Sequence, residues 1–190
     1  SNAAEVLNGG DGDDIINSGG GGDRINGGKN SDTINLNVTG EADTVLFRGA
    51  WGAVWVGDTV NNFEIGNDII DFTYNNARID GASTTSFNNG TTINDNTAFI
   101  REGTDIAAGA TATAAQVTAN LSVGTFDDGD GGNADRIYVA WDNGLNTYVG
   151  ALVSDNNGDG FTGDSLTLIF TLNGIADCTS LGAGNLFDFS

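Results

Sequence analysis

The chain of 190 residues has no histidine, proline or methionine and only one cysteine. Without histidine, neither a Ser-His-Asp nor a Cys-His nucleophile system can be assembled, and Cys178 has no activating base beside it in the sequence. A single cysteine excludes an intrachain disulfide framework. Long apolar runs are absent as well, and nothing approaches the roughly 20 residues of a membrane-spanning helix. Basic residues are scarce, 6 against 26 acids, for a net charge of −20. That charge repels nucleic acid and anionic membrane surfaces and so argues against both as partners. It also predicts an expanded chain whose self-repulsion is relieved by bound cations. Glutamate is nearly missing among the acids: Glu5, Glu41, Glu64 and Glu102 are the four, and the rest are aspartate. The short aspartate side chain suits tight loops, where it hydrogen-bonds its own backbone.

What is present is a nine-residue phase. Leu7, Ile16, Ile25 and Ile34 are spaced by nine, each preceded two residues earlier by an acid: Glu5, Asp14, Asp23 and Asp32. Three segments fill the frame: Gly9-Gly-Asp-Gly-Asp-Asp-Ile-Ile-Asn17, Ser18-Gly-Gly-Gly-Gly-Asp-Arg-Ile-Asn26 and Gly27-Gly-Lys-Asn-Ser-Asp-Thr-Ile-Asn35. A six-residue glycine-rich loop can reverse through positive φ. The three residues after it can stack in parallel under an identical neighbour, with the aliphatic side chain forming one rung of a narrow core. The aspartate closing each loop offers a carboxylate, and the glycines leave backbone carbonyls bare. Such oxygens suit calcium, which takes six to eight hard oxygen ligands at flexible geometry. A loop completes itself only against a stacked neighbour, so metal binding and folding should be coupled.

The first segment matches G-G-x-G-x-D-x-U-x at every defined position, and the chain resembles the RTX family of calcium-binding nonapeptide proteins. The resemblance is tight over residues 5–35 and loose over 36–72. It implies a short parallel β-roll with two nonapeptides per coil and loops alternating between two edges. Asp14 and Asp32 would then share one edge and Asp23 the other. The partner of Asp23 is Glu41 in strict register, or Asp43 after a two-residue insertion. Asp43 is preferred because it puts Val45 on the apolar rung. The implied calcium ligands are Asp14, Asp23, Asp32 and Asp43, with carbonyls of the loops around Gly9, Gly10, Gly12, Gly19, Gly21 and Gly27 completing the shells. Ser18 for the first glycine and Asn30 for the fourth-position glycine depart from the pattern; asparagine tolerates left-handed backbone well.

Ser1, Asn2 and Ala3 read as a protease-cleavage scar, and the sequence proper begins in mid-repeat, as expected of the C-terminal part of a longer protein. Residues 4–72 are assigned to the roll and its closing strands. The run Phe63-Glu-Ile-Gly-Asn-Asp-Ile-Ile-Asp-Phe72 resembles the segment that closes RTX rolls, and Asp68 and Asp71 either bind a further ion or cap a buried turn. Trp51 and Trp55 either plug the roll's open end or form a sugar-binding platform. Residues 73–190 are expected to form a separate, mainly antiparallel β domain, so that the whole is mainly all-β with one short helix. The elements are a strand within 92–101, a helix within 110–121 capped by Thr111 or Thr113, a hairpin around Asp142-Asn-Gly144, and a strand over Ser165–Asn173 with Leu166, Leu168, Phe170 and Leu172 on one face.

Two acidic loops stand out in this second part. Asp155, Asn157 and Asp159 occupy positions 1, 3 and 5 of an EF-hand-like loop with glycine at 6. Position 12 is Leu166, which excludes a complete EF-hand, but Asp164 can close a shorter loop. Residues 127–135 bunch carboxylates without clean spacing and read equally as a calcium loop or a solvated turn. The terminus Leu186, Phe187, Asp188, Phe189 and Ser190 resembles the uncleaved type I secretion signal of RTX proteins; the other reading is a last edge strand. The resemblance therefore implies a secreted, non-enzymatic calcium module served by the type I secretion machinery. The alternative is an adhesin or surface-layer module binding carbohydrate or neighbouring subunits at the cell surface. A paired-carboxylate glycosidase is allowed by residue type, yet no sequence feature supplies a raised-pKa acid in an apolar pocket.

Overall fold

The computed structural model describes residues 2–38, 40–47, 57–72, 78–79, 82–83, 86–88, 97–101, 105–119, 121, 136–155, 161, 163–182 and 184–187. The first part is a roll of short strands: β1 (Val6–Asp11), β2 (Ile15–Asn17), β3 (Arg24–Lys29), β4 (Thr33–Asn35), β5 (Thr44–Leu46), β6 (Asp58–Asn61) and β7 (Ile69–Asp71). Odd-numbered strands stack in parallel as β1-β3-β5-β7, and even-numbered ones as β2-β4-β6. The nine-residue phase places Ile25 opposite Leu7 and Ile34 opposite Ile16. Between the two sheets Ile25, Ile34, Val45, Val60 and Ile70 are fully buried. One side chain per strand therefore makes the core, as the repeat requires. The insertion before residue 43 is absorbed in the loop, since Ile25 pairs with Val45. The left-handed tolerance argued for Asn30 is used: its φ is 77°, at the repeat position where Gly12 has 118°.

The second part contains β8 (Arg78–Ile79), β9 (Ala82–Ser83), β10 (Ser86–Asn88), β11 (Thr97–Arg101), α1 (Ala114–Val117), β12 (Arg136–Asp142), β13 (Thr147–Val153), β14 (Ser165–Asn173) and β15 (Leu186–Phe187). Strands β12, β13 and β14 form the expected antiparallel unit. It is flanked on both sides by parallel neighbours, β11 beside β12 and β6 beside β14. The hairpin loop is four residues long. Asn143 Oδ1 accepts the N–H groups of Leu145 and Asn146, while Gly144 takes φ 78°.

The boundary at residue 72 does not interrupt the core. Strand β14 continues the even-numbered sheet through β6, and β15 continues the odd-numbered sheet through β7. Phe47 and Phe72 from the roll meet Phe170 and Tyr138 from the tail, with ring centroids 4.2–6.4 Å apart. Such contacts add edge-on ring attraction to the burial of large apolar surface.

The expected short helix lies within 110–121 as a single turn, Ala114–Val117, preceded by a 3-10 turn at Gly109–Thr111. Thr113 is its N-cap, in a capping box with Gln116. One expectation is corrected: the apolar residues of β14 do not share one face. A register shift between Val149 and Gly150 interrupts the alternation. Leu166 and Leu168 consequently pack with α1, Trp141 and Tyr148, whereas Phe170 and Leu172 enter the roll's core. A bulge of this kind inserts one unpaired residue and reverses the facing of everything beyond it.

Candidate metal centre

The closing aspartates form two ladders, one along each edge of the roll. On the first edge, Asp14 N–H donates to Asp32 Oδ1 at 2.8 Å and Asp32 N–H to Asp58 Oδ1 at 3.0 Å. On the second, Glu5, Asp23 and Asp43 donate in turn to Oδ1 of Asp23, Asp43 and Asp68, at 2.7, 2.8 and 3.0 Å. The carbonyls return the link: Thr33 N–H donates to Asp14 O, Thr59 N–H to Asp32 O and Thr44 N–H to Asp23 O. One carboxylate oxygen of Asp23, Asp32, Asp43, Asp58 and Asp68 thus ties its turn to the turn before.

The second oxygen is left over on three of the ladder's aspartates. Oδ2 of Asp14, Asp23 and Asp32 is buried with no hydrogen-bond partner, although Asp23 and Asp32 are 0% and 2% exposed. Buried carboxylate oxygens without a partner carry a full desolvation penalty. They face space that only glycine leaves open. A Cβ on Gly27 would collide with Asp32 Oδ2, and one on Gly28 with the Gly10 carbonyl oxygen. A Cβ on Gly9 would strike the Gly27 carbonyl oxygen and sit 2.8 Å from Asp14 Oδ2. The donors gathered here are all hard oxygens, carboxylate and carbonyl, which is the set a calcium ion takes. The residues fit such an ion.

Electrostatics agree. Burial raises the pKa of Asp32, with the Asp14 and Asp13 charges adding to it, while the N–H of Asp14 opposes the rise. Burial likewise raises Asp43 and Asp68 against the N–H groups they accept. Asp58 is pushed up to about 7, again chiefly by burial. A ladder of like charges held in low dielectric costs free energy that protons or a cation must offset.

Asp58 is the ladder member that sequence reasoning missed. Its signal was visible, since Asp58-Thr-Val-Asn61 repeats Asp32-Thr-Ile-Asn35, but no glycine loop precedes it in phase. The same alignment holds for the asparagines that end these strands. Asn35 Nδ2 donates to Asn17 Oδ1, Asn61 Nδ2 to Asn35 Oδ1 and Asn173 Nδ2 to Asn61 Oδ1, at 2.7–2.9 Å. That amide ladder runs from the roll directly into β14.

Other sequence-predicted residues are placed as follows. Asp68 caps a turn: its oxygens accept the N–H groups of Asp43 and Glu64. Asp71 pairs with Arg24 at 3.2 Å. Glu41, the strict-register alternative to Asp43, instead accepts Gly21 N–H at 2.7 Å. Asp155 N–H donates to Asp164 Oδ1 at 3.1 Å, bringing the two ends of the second acidic loop together. Asn157 and Asp159 lie outside the described residues, as do Trp51, Trp55, Asp188, Phe189, Ser190 and all of residues 127–135. Trp141, the third tryptophan, is 1% exposed, stacked on Tyr148, and donates to Gly109 O. Leu186 and Phe187 form the edge strand β15, the alternative reading of the terminus.

A further acidic group, unanticipated, joins Asp142, Asp177 and Cys178 near the hairpin. Asp142 is buried and accepts the N–H groups of Gly144 and Cys178. The neighbouring Asp105 has its pKa raised by its hydrogen bond to Asp142 and by that residue's charge.

No protein-family model matches the chain, and no curated protein matches it in sequence. Among solved structures it is similar to the R2 subunit of AlgE6, a mannuronan C5-epimerase of Azotobacter vinelandii. The match covers 98% of this chain and 89% of that one, at 17% identity and a TM-score of 0.43. It is a distant likeness. No helix among the described residues is long and apolar enough to cross a membrane.

Proposed function

We propose that this chain is a non-enzymatic calcium-binding β-roll module of the RTX type, which folds on meeting calcium outside the cell. The observation that carries the reading is the set of buried, unpartnered Oδ2 atoms of Asp14, Asp23 and Asp32, set against glycine backbone. Asp14 and Asp32, with the carbonyls of Gly10 and Gly27, are the residues that would hold an ion on the first edge, and Asp23 offers a carboxylate on the second. A bound calcium ion supplies the positive charge that these carboxylates lack. The chain's part is to align them: each N–H to Oδ1 bond fixes a carboxylate so that its second oxygen is presented without further loss of rotamer freedom.

The same arithmetic supports an export role. At low calcium the ladders are a liability, and a chain of charge −20 is favoured in an expanded state. Extracellular calcium modules work at dissociation constants of roughly 10⁻⁴–10⁻³ M, so the roll of such a chain stays unfolded in the cytosol and folds after release. Residues 186–190 are the proposed type I signal, and removing residues 188–190, which follow β15, should block secretion while sparing calcium-driven folding.

The test is a calcium titration of the EDTA-stripped chain, followed by far-ultraviolet circular dichroism and calorimetry. Gain of β signal with calcium, and little with magnesium at equal concentration, is the expected result. An unchanged spectrum and no heat of binding would overturn the reading.

A further inference from the structure

The outer face of the even-numbered sheet is ordered in two rows. Ile34, Val60 and Leu172 point into the core, so the residues on either side of each point away from it. Parallel register sets Thr33, Thr59 and Thr171 in one row, which ends at the exposed Ile15. The second row is the amide ladder of Asn17, Asn35, Asn61 and Asn173. Rungs stand about 4.8 Å apart across the strands, and the two rows about 6.6 Å apart along them. Neither row carries a charge, on a chain with 26 acids.

The odd-numbered sheet has no such face. Its outer positions mix Val6, Arg24, Thr44 and Ile69 in one row, and Arg24 there pairs with Asp71. Regularity is therefore not a by-product of the repeat. Strand β14 lies outside the nonapeptide phase, yet Thr171 and Asn173 prolong both rows in register. An amide has two N–H donors and two acceptor lone pairs. Asn35 spends one of each on its neighbours and turns the others outward. These lateral bonds fix the amide, so little rotamer freedom is lost when a ligand arrives. Each threonine sets a hydroxyl, donor and acceptor at once, beside a methyl group.

We propose that the outer face of β2, β4, β6 and β14 binds a neutral, extended β-linked polysaccharide, one sugar per strand. The charge match selects the class: an uncharged strip on a strongly acidic chain admits a neutral ligand and leaves a polyanionic one repelled. Periodicity selects the pose. Each pyranose of an extended β-1,4-linked chain advances by close to one strand spacing. A chain laid across the strands sets every ring against one threonine methyl and one asparagine amide. The surface is separate from the aspartate ladders and needs the roll folded, with no ion in contact with the sugar.

Co-sedimentation of the full chain with insoluble cellulose, chitin and β-1,4-mannan, calcium present, tests this, and at least one should retain it. Thr59→Glu, which puts a charge in the middle of the face, should weaken that retention by about tenfold or more. Val6→Glu, the same charge on the odd-numbered sheet, should leave it within about twofold. Circular dichroism of each sample separates loss of the fold from loss of the surface. Retention by none of the three glycans overturns the proposal, as does equal weakening by both variants. Retention by polygalacturonate alone, a polyanion, overturns it too. If Thr59→Glu fails to fold, the unmodified chain decides. Nuclear magnetic resonance titration with the soluble hexasaccharide of the retained glycan should move the side-chain amide signals of Asn35 and Asn61. Binding that leaves those signals in place overturns the assignment.

Discussion

The roll and the antiparallel unit bury their cores by opposite means. In the roll each strand contributes one aliphatic side chain, and stacking is bought with buried aspartates whose charges accumulate along both edges. In the β12–β14 unit both sheet faces are apolar. One packs against α1 through Trp141, Val139 and Leu152, and the other joins the roll through Tyr138, Phe170 and Leu172. The antiparallel unit therefore holds by area removed from water, whereas the roll carries the cost of its buried carboxylates. Where the two meet, strands β14 and β15 template both sheets of the roll.

Removing calcium should separate the two regions most strongly. In EDTA, amides of β1–β5 are expected to exchange hydrogen rapidly while those of β12–β14 stay protected, as mass spectrometry of exchanged peptides would show. Uniform protection in both regions would erase the distinction. Phe170→Ala attacks the seam from the tail side. Truncating a fully buried phenylalanine costs about 3–5 kcal/mol, and denaturant unfolding with calcium present should register that loss in the roll as well as in the tail.

Asp58 gives the comparison a pH dependence. Its folded pKa is about 7, raised from 3.8 mainly by burial. Its contribution is thus fully favourable below about pH 4 and is lost as pH rises through about 7. The metal-free chain should accordingly be more stable near pH 5 than near pH 8, on the order of a few kcal/mol. Thermal unfolding of stripped protein checks this, and Asp58→Asn should flatten the slope. The smallest effect expected is that of the amide ladder. Asn61→Ala removes bonds to both Asn35 and Asn173 and should cost about 1–2 kcal/mol, measured as a shift of the denaturation midpoint.

The repeats were legible because they repeat. Spacing by nine named the rungs Ile16, Ile25 and Ile34, and the preference for Val45 over strict register predicted the strand pairing of residue 25. Legibility failed where a partner lies far along the chain. Asp58 has no glycine loop to announce it, and Asn173 meets Asn61 across 112 residues. The bounds of the strand Ser165–Asn173 are legible in its composition but its facing is not, because a bulge against Val149 and Gly150 depends on the neighbouring strand.

Sequence alone determined the features set within one repeat: the left-handed turns that glycine or Asn30 permits, the aspartate that closes each loop, and the aliphatic residue two positions on. These follow from local backbone sterics and from a period too regular to admit another register. Tertiary structure decided that Asp58 joins the first edge, which second oxygens stay without a partner, and that tail strands complete both sheets of the roll. Those outcomes depend on contacts between residues distant along the chain. A carboxylate becomes a cation ligand or a turn cap according to the donor that folding places beside it.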